Sequence, residues 1–122
     1  ELTPRHQLRG DQVPIDADHP LRDLRICLDP GHHPDRGAVG PRGFEERESN
    51  LLISRQTAKR LEAEGAKVSF SREDNPLPLK QRHDRMREIN PDLVVSIHNN
   101  SAGDGQDPRE RHGTQTFWLF PW

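Results

Sequence analysis

Apolar residues in this chain fall into short runs, separated by long polar stretches rich in glycine and proline. Leu24 to Leu28 is a β-type run halted by Asp29-Pro30-Gly31, and Gly31, Pro34, Gly37, Gly40, Pro41 and Gly43 then make a long loop. Loops of that length within a domain are usually functional. Ser49 is placed to cap a helix from about Asn50 to Glu64, with Gly65 as its stop. Ile53, Thr57 and Leu61 recur at four-residue spacing beside Leu51 and Ala58, while Arg55, Lys59, Arg60 and Glu62 face water. Ala66 to Ser71 alternates, with Val68 and Phe70 on one face, and reads as a second strand. Leu79, Arg82 or His83, Met86 and Ile89 mark a second helix that Pro91 ends. Leu93 to Ile97 is a continuous apolar run, the pattern of a strand covered on both faces. A polar loop follows from Asn99 to His112, and Gly113 to Leu119 alternates as a fourth strand.

The expected order is therefore β-α-β-α-β-β, an α/β fold with a mostly parallel sheet flanked by helices. Residues 1 to 23, with Pro4, Pro14 and Pro20 among many charges, read as an irregular arm or linker, and 24 to 122 as the domain. An aromatic final strand with no helix after it suggests that the C-terminal part of the domain is missing. Trp118, Phe120 and Trp122, left uncovered there, would favour association with another chain.

Composition narrows the partners. A chain of 122 residues suffices for one domain, and 30% hydrophobic against 31% charged residues implies a small core or an incomplete one. The net charge is -2 with no basic stripe and few aromatics, which argues against nucleic acid. No apolar run approaches the roughly 18 residues of a membrane span. Cys27 is the single cysteine, so an internal disulfide and a cysteine-based zinc cluster are excluded, and its apolar neighbours mark it as a small buried hydrophobe.

His32 closely follows the first strand and His98 the third. If both strands are parallel, both imidazoles emerge at the carboxyl edge, where open α/β sheets place their sites. Glu46, at the end of the glycine-rich loop, can reach the same edge. Two imidazoles and one carboxylate leave a fourth position for water, the arrangement of a catalytic zinc. Of the seven histidines, His6, His19, His83 and His112 read as surface residues.

Several motifs occur in order: Asp29-Pro30-Gly31-His32, Gly37-Ala38-Val39-Gly40, Gly43-Phe44-Glu45-Glu46-Arg47-Glu48-Ser49-Asn50-Leu51, Val68-Ser69-Phe70-Ser71-Arg72, Leu79 with Arg82, and Ser96-Ile97-His98-Asn99-Asn100. Together they resemble the zinc-dependent N-acetylmuramoyl-L-alanine amidases from about Ile26 to the chain end. The resemblance implies one Zn2+ held by His32, Glu46 and His98, in a hydrolase that cleaves the amide bond between N-acetylmuramic acid and L-alanine in peptidoglycan. Glu45 and Glu48 compete for the carboxylate role. Glu46 is preferred because its spacing to Asn50-Leu51, with a basic residue following it, fits the family pattern. Arg72 and Arg82 are expected to brace loops through hydrogen bonds. Asp29, Ser96, Asn99 and Asn100 are candidates for bonds that orient the imidazoles, with ordinary turn chemistry the other reading for Asp29 and Asn99.

Two departures from the family pattern stand out. His33-Pro34 replaces a glycine-rich continuation after the first histidine, and the family's catalytic glutamate lies on a later strand, beyond residue 122. The alternative function is a non-catalytic, amidase-like module that binds zinc or cell wall. Peptidoglycan as partner places the work in the periplasm or outside the cell. With no general base assigned, the expected outcome for the 122-residue chain alone is little or no hydrolysis; robust release of peptide from purified peptidoglycan would contradict it.

Overall fold

The computed structural model describes residues 16–103, 105–107, 109–110 and 113–118. Its elements run β1 (Arg25–Pro30), α1 (Glu46–Ala63), β2 (Lys67–Phe70), α2 (Leu79–Ile89) and β3 (Leu93–Ile97). The three strands form one parallel sheet in the order β2-β1-β3. This is the α/β architecture implied by short apolar runs alternating with helical segments, because parallel neighbours need crossover connections.

β1 lies in the middle and is buried from Ile26 to its end. Asp29 and Pro30, expected to halt this strand, are its last two residues and pair with Ser96 and Ile97 of β3. β3 is an edge strand, with Leu93 and Val94 exposed. Leu93 and Val94 point to opposite faces of the sheet, so the expectation of cover on both faces of β3 fails: an apolar run states what a strand could bury and not what packs on it.

α1 begins at Glu46, ahead of the expected start at Asn50, and its N-cap position is Glu45. Ser49 lies inside the first turn and donates its hydroxyl to the Glu46 carbonyl. The loop does the capping: the carbonyls of Ala38 and Arg36 accept the Glu46 and Arg47 N–H groups, at 2.8 and 3.2 Å. Glu46 and Glu48 also place negative charge at the positive end of the helix. The buried stripe is Glu46, Asn50, Leu51, Ser54 and Ala58. Ile53, expected inside, is exposed beside Leu52, and both line a shallow groove with Gln56, Thr57 and Arg60. The turn after α1 uses Gly65 at φ +95°, a left-handed conformation that glycine adopts without strain.

α2 buries Arg82, leaves Leu79 and His83 exposed, and is followed by left-handed Asn90. Apolar packing is sparse: Ile26, Leu28, Ala58 and Ala66 form the buried cluster, with Leu21 and Phe70 among the residues packed against it. Leu21 comes from residues 16–23, which hold no helix or strand; the N–H groups of Leu21 and Asp23 bond the Glu64 and Gly65 carbonyls. Cys27 is fully buried, and burial pushes its thiol pKa up.

The chain divides into two units, 15–101 and 1–14 with 102–122. The first unit carries the sheet and both helices. In the second, the described residues form only turns and irregular backbone, and Arg109 pairs with Asp107 at 2.6 Å. Residues 113–118, expected to open a fourth strand, are not a strand, so the association expected of that strand has no ladder there to rest on; Phe117 and Trp118 are exposed. Alternation alone states a local preference, and a strand forms only where a partner supplies the ladder. Leu119, Phe120 and Trp122 lie outside the described residues, as do His6 and His112. Among the described residues, no helix is long and apolar enough to cross a membrane.

A buried ion pair joins α2 to β1: Arg82 donates to Asp29 at 2.9 Å, with side chains 5% and 6% exposed. Removing one partner of such a pair leaves an uncompensated charge. Arg82→Met is therefore expected to destabilise the fold by about 3–5 kcal/mol, measured by urea unfolding. A loss below about 1 kcal/mol would mean that hydroxyl partners such as Ser71 and Ser96 satisfy Asp29 unaided.

Candidate metal centre

The parallel register decides where the histidines go. Pro30 pairs with Ile97, so His32 and His98 leave the sheet at the same carboxyl edge, on adjacent strands. The long loop then returns to the start of α1 through a tight reversal, with a bridge between Val39 and Glu45 and a bond from Gly40 N–H to the Phe44 carbonyl. This brings Glu46 over the same edge.

His32, Glu46 and His98 converge there. Glu46 Oε1 lies 3.1 Å from His32 Nε2 and 3.3 Å from His98 Nδ1, and the two nitrogens are 3.2 Å apart. The rings meet edge to face with centroids 4.8 Å apart. Around a tetrahedral ion with bonds of roughly 2.0–2.1 Å, ligand atoms sit about 3.3 Å from one another. The observed triangle has that size. Its chemistry fits as well. His32 Nδ1 bonds the Asp35 carboxylate at 2.5 Å, so in a neutral ring Nε2 is a lone pair facing a carboxylate oxygen. Such acceptors repel unless a positive charge joins them, either a proton or a metal ion.

Glu46 is prepared as an anionic donor. It is 7% exposed, its Oε2 accepts the Ala38 N–H at 2.9 Å, and its Oε1 accepts the Asn99 N–H at 2.8 Å and the Asn50 amide at 3.3 Å. Burial alone would raise its pKa; the Ala38 and Asn99 N–H groups, with Asn50 and His32, outweigh burial and hold it below the usual carboxylate range. The competing carboxylates are elsewhere: Glu45 pairs with Arg36 and Arg47, and Glu48 is exposed.

Two glycines make room for the cluster. A Cβ on Gly31 would come within 2.6 Å of three atoms of the His98 ring, and one on Gly37, at φ +64°, would meet His32 Cδ2 at 2.6 Å and Glu46 Oε2 at 2.7 Å. Neither glycine's role is readable from spacing alone, because it depends on which rings cross the loop.

Of the residues expected to orient the imidazoles, none does so directly. Asp29 accepts from Arg82, Ser71 and Ser96 beneath the edge, and its carboxylate is spent on them. Asn99 instead serves Glu46 through its N–H, while its amide donates to Ser49 and Asn50. Asn100 is exposed and outside these bonds. Sequence reading missed Asp35, whose only signal was a carboxylate three residues after His32. Arg72 and Arg82 do brace backbone: Arg72 is buried and donates to the Pro30, Gly31, Arg47 and Glu73 carbonyls, and Arg82 to Pro30.

Similarity to known proteins covers this edge. A model of the N-acetylmuramoyl-L-alanine amidase family matches residues 26–119. The amidase AmiC of Neisseria meningitidis is 44% identical over 75 residues, which cover 60% of this chain and 18% of that protein. LytC of Bacillus subtilis, also an N-acetylmuramoyl-L-alanine amidase, is 34% identical over 102 residues, covering 82% and 20%. Among solved structures, AmiC2 of Nostoc punctiforme aligns with a TM-score of 0.61 at 34% identity, over 68% of this chain and 47% of that one. The catalytic domain of CwlV from Bacillus (Paenibacillus) polymyxa gives 0.60 at 31% identity, over 68% and 49%. The chain spans less than half the length of each of these relatives.

The crowding at Gly31 yields a direct prediction. Gly31→Ala is expected to displace the His98 ring and weaken divalent-metal binding on the order of 10–100-fold, measured by competition with a chromophoric chelator. Gly40→Ala, whose added Cβ would meet only the Phe44 carbonyl at an ordinary 3.6 Å, serves as the control for loop substitution. Equal metal affinity in Gly31→Ala and the parent would contradict the packing of His98 on Gly31.

Proposed function

Because the chain belongs to the N-acetylmuramoyl-L-alanine amidase family, we propose that it is the zinc-holding part of a hydrolase that cleaves the amide bond between N-acetylmuramic acid and L-alanine in peptidoglycan. The observation that carries this reading is the triangle of His32 Nε2, Glu46 Oε1 and His98 Nδ1, with edges of 3.1, 3.3 and 3.2 Å, inside the matched segment. Two imidazoles and a carboxylate are a donor set for catalytic zinc, which keeps a further position open. Zinc bound there would polarise the scissile carbonyl and lower the pKa of a bound water to about 7.

The chain's own residues shape the site around it. Glu46 stays ionised through its backbone N–H bonds and contributes the charge that makes the site selective for a cation. His98 is 44% and His32 26% exposed at the side chain, so the edge is open to a large polymer. Glu46 and Asp35 are committed to the triangle and to His32, and neither is assigned the proton-accepting role. Peptidoglycan as substrate puts the working compartment in the periplasm or outside the cell.

Zinc content of the chain purified without added metal tests the site, and co-sedimentation with purified peptidoglycan tests the substrate. About one zinc per chain, lost in His98→Ala with the far-UV spectrum unchanged, is the expected result. No zinc in either protein would overturn the metal reading, and zinc without retention on peptidoglycan would overturn the substrate.

A further inference from the structure

Resting on the metal reading above, we propose that Asp35 is a positioning residue, which fixes His32 in the Nδ1–H tautomer and so makes Nε2 the nitrogen offered to the metal. Asp35 Oδ1 accepts from His32 Nδ1 at 2.5 Å and from the Gly37 N–H at 3.2 Å. A neutral imidazole carries one hydrogen, and the nitrogen bonded to a carboxylate is the one that keeps it. The other nitrogen, Nε2, faces Glu46 and His98.

The loop is shaped to deliver this carboxylate. His32 and His33 have φ of 66° and 81°, left-handed values that side chains other than glycine adopt rarely. These two residues turn the chain, and the His33 N–H closes the turn on the Asp35 carbonyl at 2.9 Å. Residue 35 is thereby carried back to the His32 ring. On the opposite ring edge, His32 Cδ2 lies so close to Gly37 that a Cβ there would be 2.6 Å away. The ring is held between a carboxylate at Nδ1 and backbone at Cδ2, which opposes a flip that would exchange them.

His98 shows the contrast. Among the described residues, no carboxylate bonds its Nε2, and the ring is oriented by packing on Gly31. The two imidazoles thus reach one centre by different means: one by a charged hydrogen bond, the other by shape. A carboxylate on the far nitrogen also makes an imidazole a more basic ligand, and loss of such a partner costs on the order of 10–100-fold in metal affinity.

The test pairs two readouts on the 122-residue chain. Nitrogen-15 NMR of the metal-free protein, at a pH raised until the His32 ring carries a single hydrogen, reports which of its nitrogens keeps it, and a chelator competition reports zinc affinity. In Asp35→Ala, the Nδ1–H signature is expected to give way to a tautomer mixture, and zinc affinity to fall on the order of 10–100-fold. Asp35→Asn keeps an oxygen acceptor, so the tautomer should persist while affinity falls less. Unchanged far-UV spectra would exclude unfolding as the cause. The proposal is overturned if Asp35→Ala retains the Nδ1–H signature, or if it binds zinc as tightly as the parent. A parent chain that binds no zinc, yet shows Nδ1–H lost in Asp35→Ala, would overturn the metal reading and uphold the tautomer assignment.

Discussion

The Glu46 carboxylate holds together three segments that are far apart in sequence. Its two oxygens accept the N–H of Ala38 in the loop, the N–H of Asn99 after β3, and the Asn50 amide one turn along α1. A buried anion is costly unless its lone pairs are satisfied, and here the satisfying donors are themselves pinned to the loop and the sheet. The start of α1, the return of the loop and the exit of β3 are therefore mutually dependent. The same oxygen that receives Asn99 points at both imidazoles. Geometry of the site and anchoring of the helix are one interaction.

Beneath that edge the support is polar as well. The Pro30 carbonyl accepts from both Arg72 and Arg82, and the Gly31 carbonyl from Arg72 and Asn50. Arg72 also takes the Arg47 carbonyl, next to Glu46. Carbonyls at the end of a parallel strand lack a further ladder partner, and buried guanidinium groups satisfy several at once in a fixed fork. The backbone on either side of His32 and Glu46 is thus fixed by rigid bonds, the condition for holding ligands to a small tolerance.

A small apolar cluster and a dense polar framework explain how a chain with 30% hydrophobic residues builds this unit. The buried stripe of α1 is polar at Glu46, Asn50 and Ser54, broken only by Leu51, before it reaches Ala58. Hydrophobic periodicity weights Ile53, which is exposed, and passes over Asn50, which is fully buried. The site and the helix seat share one surface, and that surface is hydrogen-bonded rather than oily.

By itself the sequence determined the strand and helix order through β3, the stop of α1 before Gly65, the buried character of Cys27, and the exit of His32 and His98 at the ends of two strands. These follow from local period, breakers and strand length, which are short-range properties of the chain. The ordered motifs favour Glu46 while leaving Glu45 and Glu48 in competition, and it is the fold that sets Glu46 beside both imidazoles. Tertiary structure alone decided that β1 is central and β3 an edge, that α1 starts at Glu46 on loop carbonyls, that residues 113–118 form no strand, and that Asp29 serves Arg82 while Asp35 serves His32. The reason is common to all of these. Each depends on which partner occupies the space beside a group, and a ladder, a buried carboxylate or an imidazole tautomer takes its state from that partner.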